Sequence, residues 1–247
     1  MTNYLVSLHR LLDTSHLIAP LVARMVSASH TQKILDLCSG SGGPMVATAE
    51  VLRTDFGFAD LQLTLSDYFP NTEALVNISS QNRSWIRYES SSVNASDVRI
   101  PHDGVRTMIC SLHHMRPEKA KEILQHAAEK RRPFFAFEIS DNSLPALMWW
   151  LPFPMTIVMT LLLTPWVRPL TFQQIFFTYV IPILPVLIAW DGMVSNARTY
   201  TESDLKFLTQ SMSLEGYRFE IGTLRKPGLP LGMTYILGSS DGNSRIS

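Results

Sequence analysis

Leu5, Leu8, Leu11 and Leu12 fall at helical spacing, and Leu21, Val22 and Met25 follow Pro20 with the same period. This spacing predicts two helices over residues 4–28. From Lys33 the pattern shortens. "KILDLCS" is an apolar run that ends in glycine and suits a buried strand, and "GPMVATAEVLRT" follows as a helix opened by Pro44. "LQLTLSDY" alternates and then stops at a polar turn, so it reads as a second strand. "NTEALVNISSQN" is helical and "WIRYESSS" strand-like. "VRTMICSLHHM" is a fourth strand running into a loop, Pro117 opens the helix "PEKAKEILQHAAEKR", and "PFFAFEIS" is a fifth strand. Strands alternating with helices predict parallel βαβ units in a doubly wound α/β sheet. Near the end, Thr201 and Asp204 form a capping-box pattern for the helix "ESDLKFLTQSMSLEG", and "YRFEIGTLRK" and "GMTYILGS" read as two further strands.

One region breaks this rhythm. From Ser143 to Trp190 the only charge is Arg168, and the stretch includes "MWWLPFPMTIVMTLLLTPWV". Two apolar halves around one arginine predict a helical hairpin. A spanning helix needs about 20 unbroken apolar residues. Here Pro152, Pro154 and Pro165 interrupt the first half, and Pro182 and Pro185 the second. Three readings stay open: a soluble lid over an apolar pocket, a monotopic or re-entrant segment with Trp149, Trp150, Trp166, Tyr179 and Trp190 near the interface, and a two-helix crossing. The insert follows the fifth strand. It is therefore expected to set the substrate side of the crevice against an apolar acceptor or, through residues 145–190, a membrane.

Composition narrows the partners. Lysines and arginines number 21 against 21 acids, for a formal net charge of zero, which disfavours a nucleic-acid partner. Mean hydropathy is +0.08, and the excess lies in the apolar insert. The two cysteines, Cys38 and Cys110, have neither metal-ligand spacing nor a disulfide framework. No metal is expected, and a reducing, cytoplasmic setting is the simplest reading, with the inner face of a membrane as its variant. Arg10 and Asp13 interrupt any secretory apolar core.

Asp36 ends the first strand, and Cys38, Gly40 and Gly42 follow in a loop that opens a helix. Such a turn presents backbone N–H groups to a ligand. A dinucleotide fingerprint needs a third glycine at the sixth loop position, where this chain has Met45. That weakens a nicotinamide-dependent oxidoreductase reading. The segment instead resembles motif I of class I S-adenosylmethionine-dependent methyltransferases, with Cys38 in place of the usual first glycine. A bacterial group of that class with a proline-broken apolar insert before a Trp-Asp-Gly turn is also similar, the turn here being Trp190-Asp191-Gly192.

The resemblance implies a Rossmann-like, mostly parallel seven-stranded sheet with an antiparallel C-terminal strand. It also implies S-adenosyl-L-methionine as cofactor. Asp67, in "LTLSDYFPN", takes the place of the acid that binds the ribose hydroxyls, with Tyr68 against the adenine. Asn94 and Ala95 stand where the family has its adenine-binding turn, Asn94 offering one carbonyl acceptor. Ser111 lies near the cofactor in "MICSLHHM", and His113 and His114 face the substrate. His113, His114 and Glu138 are the candidate bases, with Asp141 behind them. As neighbours on extended backbone, the two histidines are expected to point in different directions.

The expected division is a cofactor-binding domain over 1–142 and 191–238, an apolar helical insert over 143–190, and a flexible tail over 239–247. The expected activity is methyl transfer to a small or lipid-like acceptor by in-line displacement. The alternative is a membrane-docked protein that binds the cofactor without catalysis. The sequence does not determine the acceptor atom or the oligomeric state.

Overall fold

The computed structural model describes residues 2–240 apart from 82, 100–101, 144–147, 149, 169, 213–214 and 229–231. Trp149, part of the uncharged stretch before Leu151 and the tail from 241 onward therefore lie outside the described residues. Two helices, α1 (Thr2–Leu11) and α2 (Thr14–Ser29), precede the first strand. They part at Asp13, which takes a left-handed conformation (φ +51°), while Pro20 sits inside α2. Pro20 is exposed, so water can solvate the carbonyl that its missing N–H leaves free.

The strands are β1 (Lys33–Asp36), β2 (Gln62–Leu65), β3 (Ile86–Tyr88), β4 (Val105–Ile109), β5 (Phe134–Phe137), β6 (Tyr217–Arg225) and β7 (Gly232–Ser240). They form one sheet in the order β3-β2-β1-β4-β5-β7-β6. The first five strands are parallel, and β7 runs antiparallel between β5 and β6. This is the expected doubly wound sheet, and the antiparallel wedge sets it apart from an all-parallel dinucleotide-binding sheet.

Helices α2, α3 (Gly43–Thr54) and α4 (Thr72–Ser80) cover one face, with Ile18, Val22, Met45 and Leu52 in its core. Helices α5 (Pro117–Glu129) and α9 (Glu202–Thr209) cover the other, through Ile123, Leu124, Leu205 and Leu208. All four residues of β5 are buried. Each fully buried Phe there is worth roughly 1.5–3 kcal/mol relative to exposure. The Thr201–Asp204 capping box is present in both directions, though α9 ends at Thr209, earlier than its pattern suggests.

Between β5 and α9 lie α6 (Pro152–Leu163), a 3-10 turn (Thr164–Trp166), α7 (Phe172–Ile175, continued as a π-helical turn Phe176–Val180) and α8 (Ile183–Arg198). Pro182 caps α8 and Pro185 sits in its first turn, where a missing N–H costs nothing. The turn expected at Trp190-Asp191-Gly192 does not exist, since all three residues lie inside α8, which runs on past the sequence-drawn boundary. Helices α6 and α8 pack along each other, and the N-terminal α1 packs on α6 and α3.

Candidate active site

The glycine loop is built from the carboxyl end of β1. Asp36 is 3% exposed, and its Oδ1 accepts a hydrogen bond from Thr107 Oγ1 at 2.6 Å. The parallel register sets Asp36 opposite Thr107 on β4. Burial pushes the Asp36 carboxyl up to about 7, against the pull of that bond. Cys38 then takes φ +56°, a left-handed conformation that costs an L side chain roughly 1–2 kcal/mol. The position therefore favours glycine on geometric grounds. Burial, with the Asp67 and Asp36 charges behind it, pushes the Cys38 thiol up to about 12. Such a thiol stays neutral and serves packing.

Gly40 and Gly42 also have positive φ, +55° and +93°. They do different jobs. A Cβ on Gly42 would lie 2.9 Å from Val46 Cγ2 and 3.2 Å from Leu65 Cδ1, so this glycine lets α3 close on β2. A Cβ on Gly40 would meet nothing within 4 Å, so open space lies beside it. Tyr88 holds the loop by donating from its hydroxyl to the Gly40 carbonyl at 2.8 Å.

Asp67 lies just beyond β2. Its Oδ2 accepts from the Gly40 N–H at 2.9 Å and its Oδ1 from the Phe69 N–H at 3.0 Å. Each oxygen keeps a further lone pair. The second predicted acid is thus tied to the glycine loop across 27 residues of sequence. Beside it, a cleft of about 270 Å³ is lined by Tyr68, Ser92, Val93, Asn94, Asp97 and Arg99. Tyr68 and Asn94 therefore share one cleft, with Ala95 buried behind it. The role expected for the Asn94 carbonyl needs correcting. Its Oδ1 already accepts from Ser96 N–H and Oγ at 3.1 and 3.0 Å, which leaves the amide N–H pair as the free group.

At the carboxyl end of β4, Ser111 is 4% exposed, and its Oγ finds no partner among the described residues. An orphaned buried hydroxyl is costly unless a ligand or water meets it. Leu112, His113 and His114 then form a 3-10 turn, not the extended backbone expected from the sequence. Their imidazole centroids are only 4.1 Å apart. His113 donates its backbone N–H to Glu138 Oε1 at 3.1 Å, and its Nδ1 lies 2.7 Å from Glu138 Oε2. Both side chains are nearly buried, 9% and 6% exposed. His113 and Glu138 are therefore one unit, not rival bases. His114 is exposed on its outer side, and partial burial followed by His113 holds its pKa below the usual imidazole value. Asp141 is committed elsewhere, its Oδ1 accepting from Ser143 N–H and Oγ.

The insert reaches this end of the sheet. The polar half of α8 packs on the histidine turn, and Asp191 and Arg198 both act on His114 electrostatically. Ser140 Oγ, two residues past Glu138, donates to Asn196 Oδ1 of α8. A small cavity of about 140 Å³, lined by Pro152, Trp190, Met193, Val194, Asn196 and Ala197, opens beside that bond. Thr107, Tyr88 and Asn196 carry no motif signal, because each acts through a partner at least 48 residues away.

The strand order is that of the class I S-adenosylmethionine-dependent methyltransferase fold, and solved structures share it. Mitomycin 7-O-methyltransferase MmcR is similar over 90% of this chain and 52% of its own, with 17% identity and a TM-score of 0.51. The S-adenosylmethionine-dependent methyltransferase SibL, in its apo form, is similar over 93% of this chain and 56% of its own, with 13% identity and a TM-score of 0.50. The chain spans about half the length of these proteins, and at such identities the likeness concerns the fold. No protein-family model matches the sequence, and no curated protein does.

Proposed function

We propose that this chain binds S-adenosyl-L-methionine across the carboxyl ends of β1, β2 and β4 and transfers its methyl group to an O–H or N–H of a small, apolar or lipid-like acceptor. The residues fit that cofactor. Asp67 offers two oxygens to a ribose diol, Tyr68 an aromatic face and the Asn94 amide to an adenine. Open space lies beside Gly40, and among the described residues the Ser111 hydroxyl has no partner. When bound, S-adenosylmethionine supplies a methyl group already activated on sulfonium. The chain's own task is therefore alignment of the acceptor and removal of its proton.

The observation that carries the catalytic half is the His113–Glu138 pair. A carboxylate only accepts, so in the neutral ring the proton belongs on Nδ1 and the lone pair on Nε2. The second Glu138 oxygen grips the His113 backbone N–H, which fixes the ring's position as well as its tautomer. Charge that develops on the ring as it takes a proton faces a buried carboxylate, in the manner of a histidine–acid pair. Among the described residues no carboxylate is hydrogen-bonded to the His114 ring, and His114 is read as a residue of the acceptor side. Isothermal titration of S-adenosylmethionine tests the first half. S-adenosylhomocysteine formation with a lipid extract, lost in His113→Ala but with cofactor affinity kept, tests the second. Absence of any heat on titration would sink the reading.

A further inference from the structure

Most of the large apolar side chains exposed among the described residues lie between 148 and 190. Their arrangement is inverted relative to a soluble helix. The outward positions of α6 are Met155, Val158 and Leu162, and those of α8 are Ile183, Val186, Leu187 and Trp190. The buried positions of the same region include Thr160, Thr164 and Thr178. Those hydroxyls are satisfied within the chain. Thr160 Oγ1 donates to the Thr156 carbonyl at 2.8 Å and Thr164 Oγ1 to the Thr160 carbonyl at 2.7 Å. Tyr4 of α1 joins Thr164 and Thr178 at 3.0 and 3.4 Å. The half-exposed Tyr179 turns its hydroxyl to the Leu161 carbonyl at 2.6 Å instead of leaving it to water. Arg168, the only charge between 143 and 190, donates to the carbonyls of Pro165 and Val167. Internal satisfaction of polar groups beneath an apolar exterior is what hydrocarbon demands and water does not.

We infer that α6, α7 and α8 form a docking surface for one leaflet of a lipid bilayer, and that the acceptor is a lipid-soluble molecule entering the site from that leaflet. The inference rests on the methyltransferase reading only for the word acceptor.

The helices of the insert are short or bent. No single helix among the described residues is long and apolar enough to span, and α7 with its π-helical turn and α8 reach that length only as a pair bent by 85°, the form of a broken span or a re-entrant loop. The 12 residues of α6 reach roughly 18 Å against a hydrocarbon core of about 30 Å. The exposed apolar side chains are spread over α6, α7 and α8, with α7 bent by 85° from α8, a less uniform surface than the single self-complementary patch of a two-fold dimer. Trp150, Trp166 and Trp190 are 65%, 69% and 63% exposed and stand at the ends of the apolar stretches, the depth tryptophan prefers at a bilayer interface. Along α8 the polarity changes at one step, from Trp190 to Asp191, and the polar half leads to the histidine turn. The cavity between Pro152, Trp190, Met193 and Val194 lies on that path. It would hold the apolar end of an acceptor.

Flotation of the full chain on phosphatidylcholine vesicles is the test, with Val158→Glu, Val186→Glu and Leu187→Glu combined in one variant. The chain should float and the variant's floating fraction should fall roughly tenfold or more, because carboxylates in hydrocarbon oppose insertion. Both should bind S-adenosylmethionine equally. Should the variant fail to fold, tryptophan quenching of the unaltered chain by brominated phosphatidylcholine takes its place, with bromines near the headgroup expected to quench more than bromines at the chain ends. A chain that stays at the bottom of the gradient overturns the inference. So do a variant that floats equally, quenching strongest at the bilayer centre, and a soluble dimer that the substitutions dissociate. Flotation without cofactor binding supports the docking surface and removes the methyltransferase reading.

Discussion

Phe135 and Phe172 are the same residue in opposite surroundings. Phe135 sits in β5 with no exposed surface, and Phe172 opens α7 with 78% of its surface exposed. The difference extends to whole regions. In the α/β core, apolar side chains fill both faces of the sheet, and few charged groups, Asp36, Arg106 and Glu138, are buried with them. In the insert, Thr160, Thr164 and Thr178 are buried while Val158, Leu162, Val186 and Leu187 are exposed. Both arrangements satisfy every rule of burial if the two regions meet different solvents. The contrast teaches that hydropathy alone does not say which face of an element is inside. Where the hydroxyls find their hydrogen bonds does.

The largest expected effect lies where the two regions meet, at the histidine turn on which α8 packs. His113→Ala should lower methyl transfer by roughly 10²- to 10⁴-fold, the range of a general base, with cofactor affinity nearly unchanged in titration. Loss of both together would make the residue structural. In the core, Phe135→Ala should cost about 3–5 kcal/mol in denaturant unfolding. A smaller cost would mean that this face is less tightly packed than its burial shows.

A pH effect separates the regions further, because the insert between 143 and 190 contains no carboxylate. Asp36 has its folded pKa raised from 3.8 to about 7. The folded state thus holds a proton that the unfolded chain releases, and this stabilisation is complete below pH 3.8 and lost as pH rises toward about 7. Asp36→Asn should flatten that fall in thermal unfolding across the same window, and an unchanged slope would place the titration elsewhere. Asp67→Ala should weaken S-adenosylmethionine binding by about tenfold or more, which is ~1.4 kcal/mol by titration. The smallest effect should be Phe172→Ala, within about 0.5 kcal/mol in detergent-free buffer. A core-like cost there would show that the insert is covered in water.

Much of the core was legible because local signals and fold agree. Short apolar or alternating runs became β1, β2, β4 and β5, and the Thr201–Asp204 pattern became a two-way cap. The glycine loop was legible for a related reason, since Gly40 and Gly42 answer a backbone demand that only a few residue types meet. Where the reading failed, a local rule was overridden by packing. Pro20 looked like a helix break but stays on the wet side of α2. Trp190-Asp191-Gly192 looked like a turn, yet its residues continue α8 against α6.

By itself the sequence determined the alternating α/β order, the acids after β1 and β2 and the uncharged insert, because each is written in neighbouring residues. Tertiary structure alone decided that Glu138 grips His113 and that, among the described residues, Ser111 is left without a partner. It also decided which face of the insert is inside, through Tyr4 meeting Thr164 and Thr178 from more than 150 residues away. The physical reason is common to all of them. A hydrogen bond between distant residues depends on where the sheet brings two chain segments together, and no local period or propensity encodes that meeting.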